Sequence, residues 1–374
     1  MKPNIVLVLL DGSRWDRTNI SSDFLELQKK GTFVNNVTTA APYTFASINA
    51  IFTGKYGKEN GVNAYYKMFR LKDSINFLPE LLQKNGYFTT CNLISEKVIS
   101  SRGFDIYSSH NEYEDDLFLE HPKLIKDYFK KSKNKPLFTF LQFSDIHTAT
   151  VSEVLKKYEW NDKNFYARKK ENLEIYDLAF KKAGGYAQKI FQTIEDLGKS
   201  KETIIVFFSD HGTGIGERFG ERNYGIFTYE ETIRTFYLFL GNLISKNNKS
   251  DSLLRTIDIL PTILELCKIK IPSDLIGKSI ASYLFNSNEK LSDYPFTFSE
   301  TGGLQGPFPS PMEPNVFCIK SPTHKLIYFM SSNKWELFDL KNDPDEIINI
   351  YDTGLELQEK LKENLLSWID RKIT

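Results

Sequence analysis

Apolar runs and helical stripes alternate along this chain, and that alternation sets the fold class before any motif is considered. The run Ile5-Val6-Leu7-Val8-Leu9-Leu10 is rich in aliphatic residues and too short to span a bilayer, which predicts a strand buried on both faces. Residues 136–143 and 204–208 repeat the pattern, and 87–93 and 236–240 read as further strands. Between them, helical spacing marks Phe24, Leu25 and Leu27, then Ala46, Ala50 and Ile51, closed by Thr53-Gly54. Residues 75–82 form another predicted helix, ended by Asn85-Gly86, and Ala187, Ile190, Phe191, Ile194 and Leu197 another, stopped by Gly198. Such a rhythm predicts an α/β fold: a mostly parallel central sheet sandwiched by helices.

The last third of the chain changes character. Residues 254–266 are expected as one buried helix with Pro261 near its first turn, and 325–328 and 335–339 as two strands of a small antiparallel unit. Leu357, Leu361, Leu365 and Trp368 stripe a terminal amphipathic helix. The expected division is a catalytic α/β domain over 1–290 and a C-terminal subdomain, antiparallel β plus helix, over 291–374. The polar, Lys-rich stretch 151–172 suggests a lid or insertion, and the acidic run 112–116 a solvated surface.

Composition narrows the function. With 41% hydrophobic and 26% charged residues the chain is an ordinary globular protein, and 48 basic against 48 acidic residues leave no overall field that favours nucleic acid or an anionic membrane. Anion binding must therefore be local. Cys91, Cys267 and Cys318 lie far apart, which argues against a disulfide framework and a cysteine zinc site. Together with the absence of a cleavage-site pattern after residue 10 and of any transmembrane run, this leads to the expectation of a cytoplasmic protein.

Candidate chemistry sits at the strand ends. Asp11 follows the first apolar run, Ser144-Asp145-Ile146-His147 the second and Ser209-Asp210-His211-Gly212 the third. Each group alone reads equally as a cap or a satisfied core residue. In a parallel sheet, however, these ends share one edge, where ligands bind. Asp11, Asp210 and His211 could converge there with Thr44 on one cation, a donor set suited to zinc, manganese or magnesium, with calcium a further candidate. Thr44 opens its own helical stretch, so its hydroxyl is either an N-cap or a nucleophile beside unpaired amides and the positive end of the helix dipole. The local sequence leaves both open.

Taken in order, these pieces resemble the sulfatase family of the alkaline phosphatase superfamily almost end to end. Residues 4–11 resemble the family's opening strand with its metal-binding Asp, and residues 44–54 align with its nucleophile signature, Cys-x-Pro-Ser-Arg, an apolar stretch and Thr-Gly. Gly103-Phe104-Asp105, Ser209-Asp210-His211-Gly212, Ile257-Asp258-Ile259-Leu260-Pro261-Thr262 and Glu336-Leu337-Phe338-Asp339-Leu340-Lys341-Asn342-Asp343-Pro344 resemble later landmarks. The resemblance implies an alkaline phosphatase-like fold and a metal-dependent ester hydrolase or transferase.

The departures from the family pattern shape the expected activity. Sulfatases carry a Cys or Ser oxidised to formylglycine where this chain has Thr44, so no formylglycine is expected. Ala46 and Ile48 replace the signature's Pro and Arg; only Ser47 matches. Asp11-Gly12 replaces a paired Asp-Asp, and Tyr229-Glu230-Glu231 is preceded by Asn223-Tyr224-Gly225 in place of a lysine. Thr44 in that slot is similar to nucleotide pyrophosphatase/phosphodiesterases and phosphoglycerol transferases. The expectation is therefore cleavage or transfer of a phosphate ester, a diester in preference to a monoester, through a covalent phospho-threonine. Asp11, Thr44, Asp210 and His211 would bind one divalent metal, with His147 a second catalytic group and Arg14, Ser47, Lys55 and His324 holding substrate. Asp145, His147 and His324 are candidates for a second metal, but their Asp-x-His spacing is shorter than the Asp-x-x-x-His of two-metal relatives. The substrate expected is a small anionic ester, a glycan or a lipid headgroup, with oligomeric state unspecified. One alternative is a sulfuric ester hydrolase lacking formylglycine; another is an inactive binding module that retains the fold.

Overall fold

The computed structural model describes residues 2–371 apart from 69, 148, 150–155, 157, 158 and 292. At its centre is β1 (Asn4–Leu10), buried along its whole length. It pairs in parallel with β5 (Leu137–Phe143) on one side and β6 (Thr203–Phe208) on the other. The sheet continues outward from β5 through β3 (Phe88–Leu93) to β4 (Ile106–Ser109), all parallel. On the other flank β7 (Arg234–Leu240) runs antiparallel to β6, and β2 (Gly31–Thr38) antiparallel to β7. Beyond it, β8 (Asn248–Ser250) and β9 (Leu254–Arg255) lie parallel to β2.

Alternation along β1 divides the core. Ile5, Leu7 and Leu9 pack with Ile48, Ile51 and Phe52 of the helix Thr44–Thr53 and with Ile263 of the helix Ile259–Leu266. Val6, Val8 and Leu10 pack on the opposite face with Tyr176, Phe180 and Ile190 of the helix Lys169–Asp196. Both faces are covered, which is why the strand is uniformly apolar. Because Leu9 aligns with Gln142 and with Phe208, residues 11, 144 and 209 emerge together at one edge of the sheet.

Several boundaries differ from expectation for identifiable reasons. The predicted helix over 254–266 is split: β9 comes first, then a turn at Thr256–Asp258, and the helix starts at Ile259. Asp258 takes the Arg255 backbone N–H at 3.0 Å, and the late start leaves Pro261 in the first turn, where its missing N–H costs nothing. The same rule moves the expected 75–82 helix to Leu78–Lys84, with Pro79 at its start. Of the suspected lid over 151–172, residues 151–155, 157 and 158 lie outside the described residues; Lys163–Ala167 is a short helix, and residue 169 already begins the long helix.

The C-terminal sheet has four antiparallel strands where two were expected: β10 (Thr297–Thr301), β11 (Val316–Lys320), β12 (His324–Phe329) and β13 (Lys334–Asp339). The terminal helix Glu356–Asp370 lays Leu361, Leu365 and Trp368 against Phe317, Ile319, Leu326 and Leu337. Two links fasten this unit to the large sheet. The Glu300 N–H donates to the Ala40 carbonyl at 3.0 Å, and the buried Glu230 meets Lys320 at 2.7 Å and Lys325 at 3.3 Å. Among the described residues no helix is long and apolar enough to cross a membrane.

Candidate active site

The edge formed by the ends of β1 and β6 carries Asp11, Asp210 and His211, all fully buried, with carboxylate and imidazole ligand atoms within 4.8 Å of one another. Thr44 reaches the same point from the helix Thr44–Thr53. It is the first helical residue, not the cap: Tyr43 holds the cap position and makes no side-chain cap bond. The Thr44 Oγ1 lies 3.2 Å from His211 Nε2 and 3.4 Å from Asp11 Oδ1, so its hydroxyl is turned towards the cluster and away from its own helix amides. Those first-turn amides have no intrahelical partner and bring the positive end of the helix dipole to the same place.

The cluster is built to hold positive charge. Burial, and then the neighbouring Asp210, push the Asp11 carboxyl up, and burial pushes Asp210 up to about 7. Two buried carboxylates this close are costly without a compensating cation. Gln142 Nε2 donates to Asp11 Oδ2 at 2.6 Å, and the amides of His211 (3.0 Å) and Gly12 (3.4 Å) donate to Asp210 Oδ1. Asp210 Oδ2, by contrast, accepts no hydrogen bond among the described residues. His211 Nδ1 donates to the Gly212 carbonyl at 2.8 Å, which directs the Nε2 lone pair inward, 3.5 Å from Asp210 Oδ2 and 3.6 Å from Asp11 Oδ1. An orphaned carboxylate oxygen, a second carboxylate, an imidazole nitrogen and a hydroxyl together fit one divalent cation. Gly12 belongs to this design. Its φ is +72°, and a Cβ there would stand 2.9 Å from Thr213 Oγ1, so the position cannot carry the second Asp of an Asp-Asp pair without a shift.

The remaining predicted site residues take varied places. His147 sits beside the cluster, its Nδ1 3.3 Å from Glu112 Oε2 and its Nε2 hydrogen-bonded to the Tyr224 hydroxyl. Ser47 is buried and donates to the Asp210 carbonyl at 2.8 Å while meeting Thr39 Oγ1 at 2.8 Å; it ties the Thr44–Thr53 helix to the end of β6. Arg14 is committed to Asp16 (2.9 Å), Glu217 (2.6 Å) and the Thr213 carbonyl (3.1 Å). Lys55 pairs with Asp274 at 2.7 Å, and Asp145 pairs with Lys182. His324 stands at the start of β12 in the C-terminal sheet, 2.9 Å from Thr323 Oγ1.

Three residues enter the site that sequence reasoning passed over. Gln142 was signalled only as a lone amide inside an apolar strand, and it is buried against Asp11. Glu112, expected on a solvated surface, is largely covered and faces His147. Tyr224, from the segment that stands where a lysine was missing, bridges the two histidines: its ring lies 4.3 Å from that of His211 and its hydroxyl bonds His147.

Residues 3–269 match the sulfatase family, and residues 222–371 match the C-terminal part of N-sulphoglucosamine sulphohydrolase. An N-acetylglucosamine-6-O-sulfatase of Bacteroides thetaiotaomicron is 29% identical over 182 residues, 47% of this chain and 31% of that protein. An arylsulfatase of Clostridium perfringens is 22% identical over 94% of this chain and 90% of its own length. The chain spans about a third of the length of several curated relatives that it matches. The solved structure of a 2-O GAG sulfatase superposes with a TM-score of 0.80 at 17% identity, covering 100% of this chain and 95% of the other, and so shares the fold. The named activities of the curated relatives overturn the phosphate-ester expectation drawn from Thr44. The physical reason is that an alcohol nucleophile and sparse cations do not distinguish the two chemistries. A sulfate monoester and a phosphate diester are both singly charged esters of a tetrahedral centre, and each suits such a site.

Proposed function

We propose that this chain, which belongs to the sulfatase family, hydrolyses sulfate esters through an unmodified Thr44 hydroxyl at the cluster of Asp11, Asp210 and His211. The observation that carries the reading is the approach of Thr44 Oγ1, from a helix N-terminus, to within 3.2 Å of His211 Nε2 and 3.4 Å of Asp11 Oδ1. A divalent cation bound there would withdraw charge from the Thr44 hydroxyl and from the non-bridging oxygens of the ester. The imidazole in the donor set favours zinc or manganese over calcium.

The chain's own groups supply the rest. The helix N-terminus attracts the sulfate oxygens. As the bond from Thr44 Oγ1 to sulfur forms, the bond from sulfur to the leaving oxygen breaks, the hydroxyl proton passes to Asp11, and His147 protonates the leaving alcohol. Glu112, on Nδ1, holds the His147 ring for that step, and the leaving oxygen takes the place of the Tyr224 hydroxyl at Nε2, the atom that gives up the proton. Water then attacks sulfur and displaces Thr44, which recovers its proton from Asp11. Of the two water protons, one returns to His147 and the other leaves with the released sulfate. Relatives named for N-acetylglucosamine-6-O-sulfate and hexuronate-2-O-sulfate support sulfated sugars as the substrate class.

The test is sulfate release, followed by ion chromatography, from an aryl sulfate and from glucosamine 6-sulfate, run beside an aryl phosphate diester. Sulfate release as the dominant turnover is expected. Turnover of the phosphate diester with none of either sulfate would overturn the reading.

A further inference from the structure

Beside the nucleophile segment lies a second concavity whose charge is unlike that of the chain as a whole. It is a cleft of about 530 Å³, and Lys58, Lys67, Arg70 and Lys72 line it with the hydrophobic side chains of Tyr66 and Met312. That volume falls within the range of about 300–1,000 Å³ usual for small-ligand sites. In a protein of zero formal charge, four cations stand here against one lining carboxylate, Glu313.

Two of those cations are positioned by backbone carbonyls. Lys72 Nζ donates to the Glu59 carbonyl at 2.8 Å, and Lys58 Nζ to the carbonyls of Trp368, at 3.2 Å, and Ile369. Among the described residues only Lys67 is paired, with Glu313 at 2.6 Å, and that carboxylate is mostly exposed. Two acids stand nearby, Glu59 and Glu300. Burial raises both carboxyls, Glu300 to about 8, so they oppose the cations less than exposed carboxylates would. Tyr66 and Met312 are 62% and 57% exposed, an uncommon state for large hydrophobic side chains and one that marks ligand surfaces when they gather.

An aromatic cluster connects the cleft lining to the Thr44 segment. Tyr65, adjacent to Tyr66, stacks on Tyr43 at 4.7 Å and meets Phe45 edge-on at 5.2 Å, the two residues that flank Thr44. Leu304 packs against the same aromatic cluster, and the segment that carries it continues to Met312 and Glu313 at the cleft. The Tyr66 N–H donates to the Pro311 carbonyl at 2.9 Å and pins that segment to the wall.

We infer that this cleft is a second anion subsite, which holds a further sulfate or carboxylate of an extended sulfated saccharide while one sulfate ester lies at Thr44. The lysines and Arg70 would take the anionic groups, and Tyr66 with Met312 would cover a sugar face. The inference rests on the sulfated-sugar reading of the active site, and the experiment scores the two separately. Binding of a defined sulfated hexasaccharide and of its desulfated counterpart is measured by calorimetry on the full chain carrying Thr44→Ala, with and without Lys67→Ala and Arg70→Glu. Turnover of a small aryl sulfate is measured with Lys67→Ala and Arg70→Glu in the otherwise natural chain. We expect the added substitutions to weaken the sulfated hexasaccharide at least tenfold, the desulfated chain to bind far more weakly than the sulfated one, and aryl sulfate turnover to stay unchanged. Equal binding of both saccharides, or sulfated binding untouched by the added substitutions, would overturn the subsite even if aryl sulfate is hydrolysed. A protein that binds as expected but hydrolyses no sulfate ester would instead fail the functional reading alone.

Discussion

Ser47→Ala separates a structural from a substrate-binding role for the one residue that the nucleophile signature shares with the family. The Ser47 hydroxyl is fully buried, donates to the Asp210 carbonyl at 2.8 Å and meets Thr39 Oγ1 at 2.8 Å. Thr39 keeps a bond to the Ala41 carbonyl at 3.1 Å, so alanine orphans chiefly the Asp210 carbonyl. Leaving one buried acceptor unsatisfied costs about 1–3 kcal/mol. With unfolding entropy near 2.1 cal/mol/K per residue, a chain of 374 residues loses about 0.8 kcal/mol per degree, so Tm should fall by about 1–4 °C. Because the bond holds the Thr44 helix against the Asp210 turn, kcat for an aryl sulfate should fall by about tenfold, with little change in KM. Calorimetry and steady-state kinetics on the same preparation check both. An unchanged Tm with a raised KM would refute the structural role and place Ser47 on the substrate.

Further predictions address the rest of the framework. Gln142→Leu removes the 2.6 Å bond to Asp11 Oδ2 and should weaken divalent-ion affinity by about 10–100-fold, read by metal titration, with unchanged affinity counting against Gln142 as the group that orients Asp11. Elemental analysis of the purified chain should find one divalent ion per molecule, and its removal by chelation should lower Tm; two ions per chain would contradict a single cluster of Asp11, Asp210 and His211. Glu230→Gln leaves Lys320 without a carboxylate in the interior, while Lys325 keeps Glu346 at 2.6 Å; breaking the buried Lys320 pair costs about 3–5 kcal/mol, so thermal unfolding should shift down by about 4–6 °C. Burial raises the Glu230 carboxyl, but Lys320 and Lys325 together bring it below its ordinary value. Its stabilising contribution is therefore complete above the unfolded value of about 4.3 and is lost as pH falls through the lowered folded value. The stability gap between natural chain and Glu230→Gln should close in acid, and a gap that widens there would refute the assignment.

How far the sequence reveals this molecule depends on which residues act through neighbours in the chain. β1, β5 and β6 were legible because each is an apolar run that ends in polar residues at one edge, and the parallel register then brings Asp11 beside Asp210 and His211. The reversal of β7 was not, since an apolar strand buried on both faces looks alike in either direction. β10 and β11 were hidden because Thr297–Thr301 mixes polar residues into a buried strand and Lys320 ends another in the core, where Glu230 and Asn36, both far off in sequence, make a lysine tolerable. Arg14 reads as a free cation near Asp11 until Glu217 arrives from beyond β6 to claim it. Gln142 and Tyr224 acquire meaning only from what they touch. The choice between sulfur and phosphorus lay beyond what a threonine at position 44 discloses, and the relatives' named activities redirected it.

The central claim is that the Thr44 hydroxyl itself attacks a sulfate ester. Rapid-quench mass spectrometry during aryl sulfate turnover, combined with rates for Thr44→Ser and Thr44→Ala, tests it most directly. A sulfo group on the Thr44 peptide, retained activity with serine and a loss on the order of a thousandfold or more with alanine are predicted. Undiminished sulfate release by Thr44→Ala would contradict it.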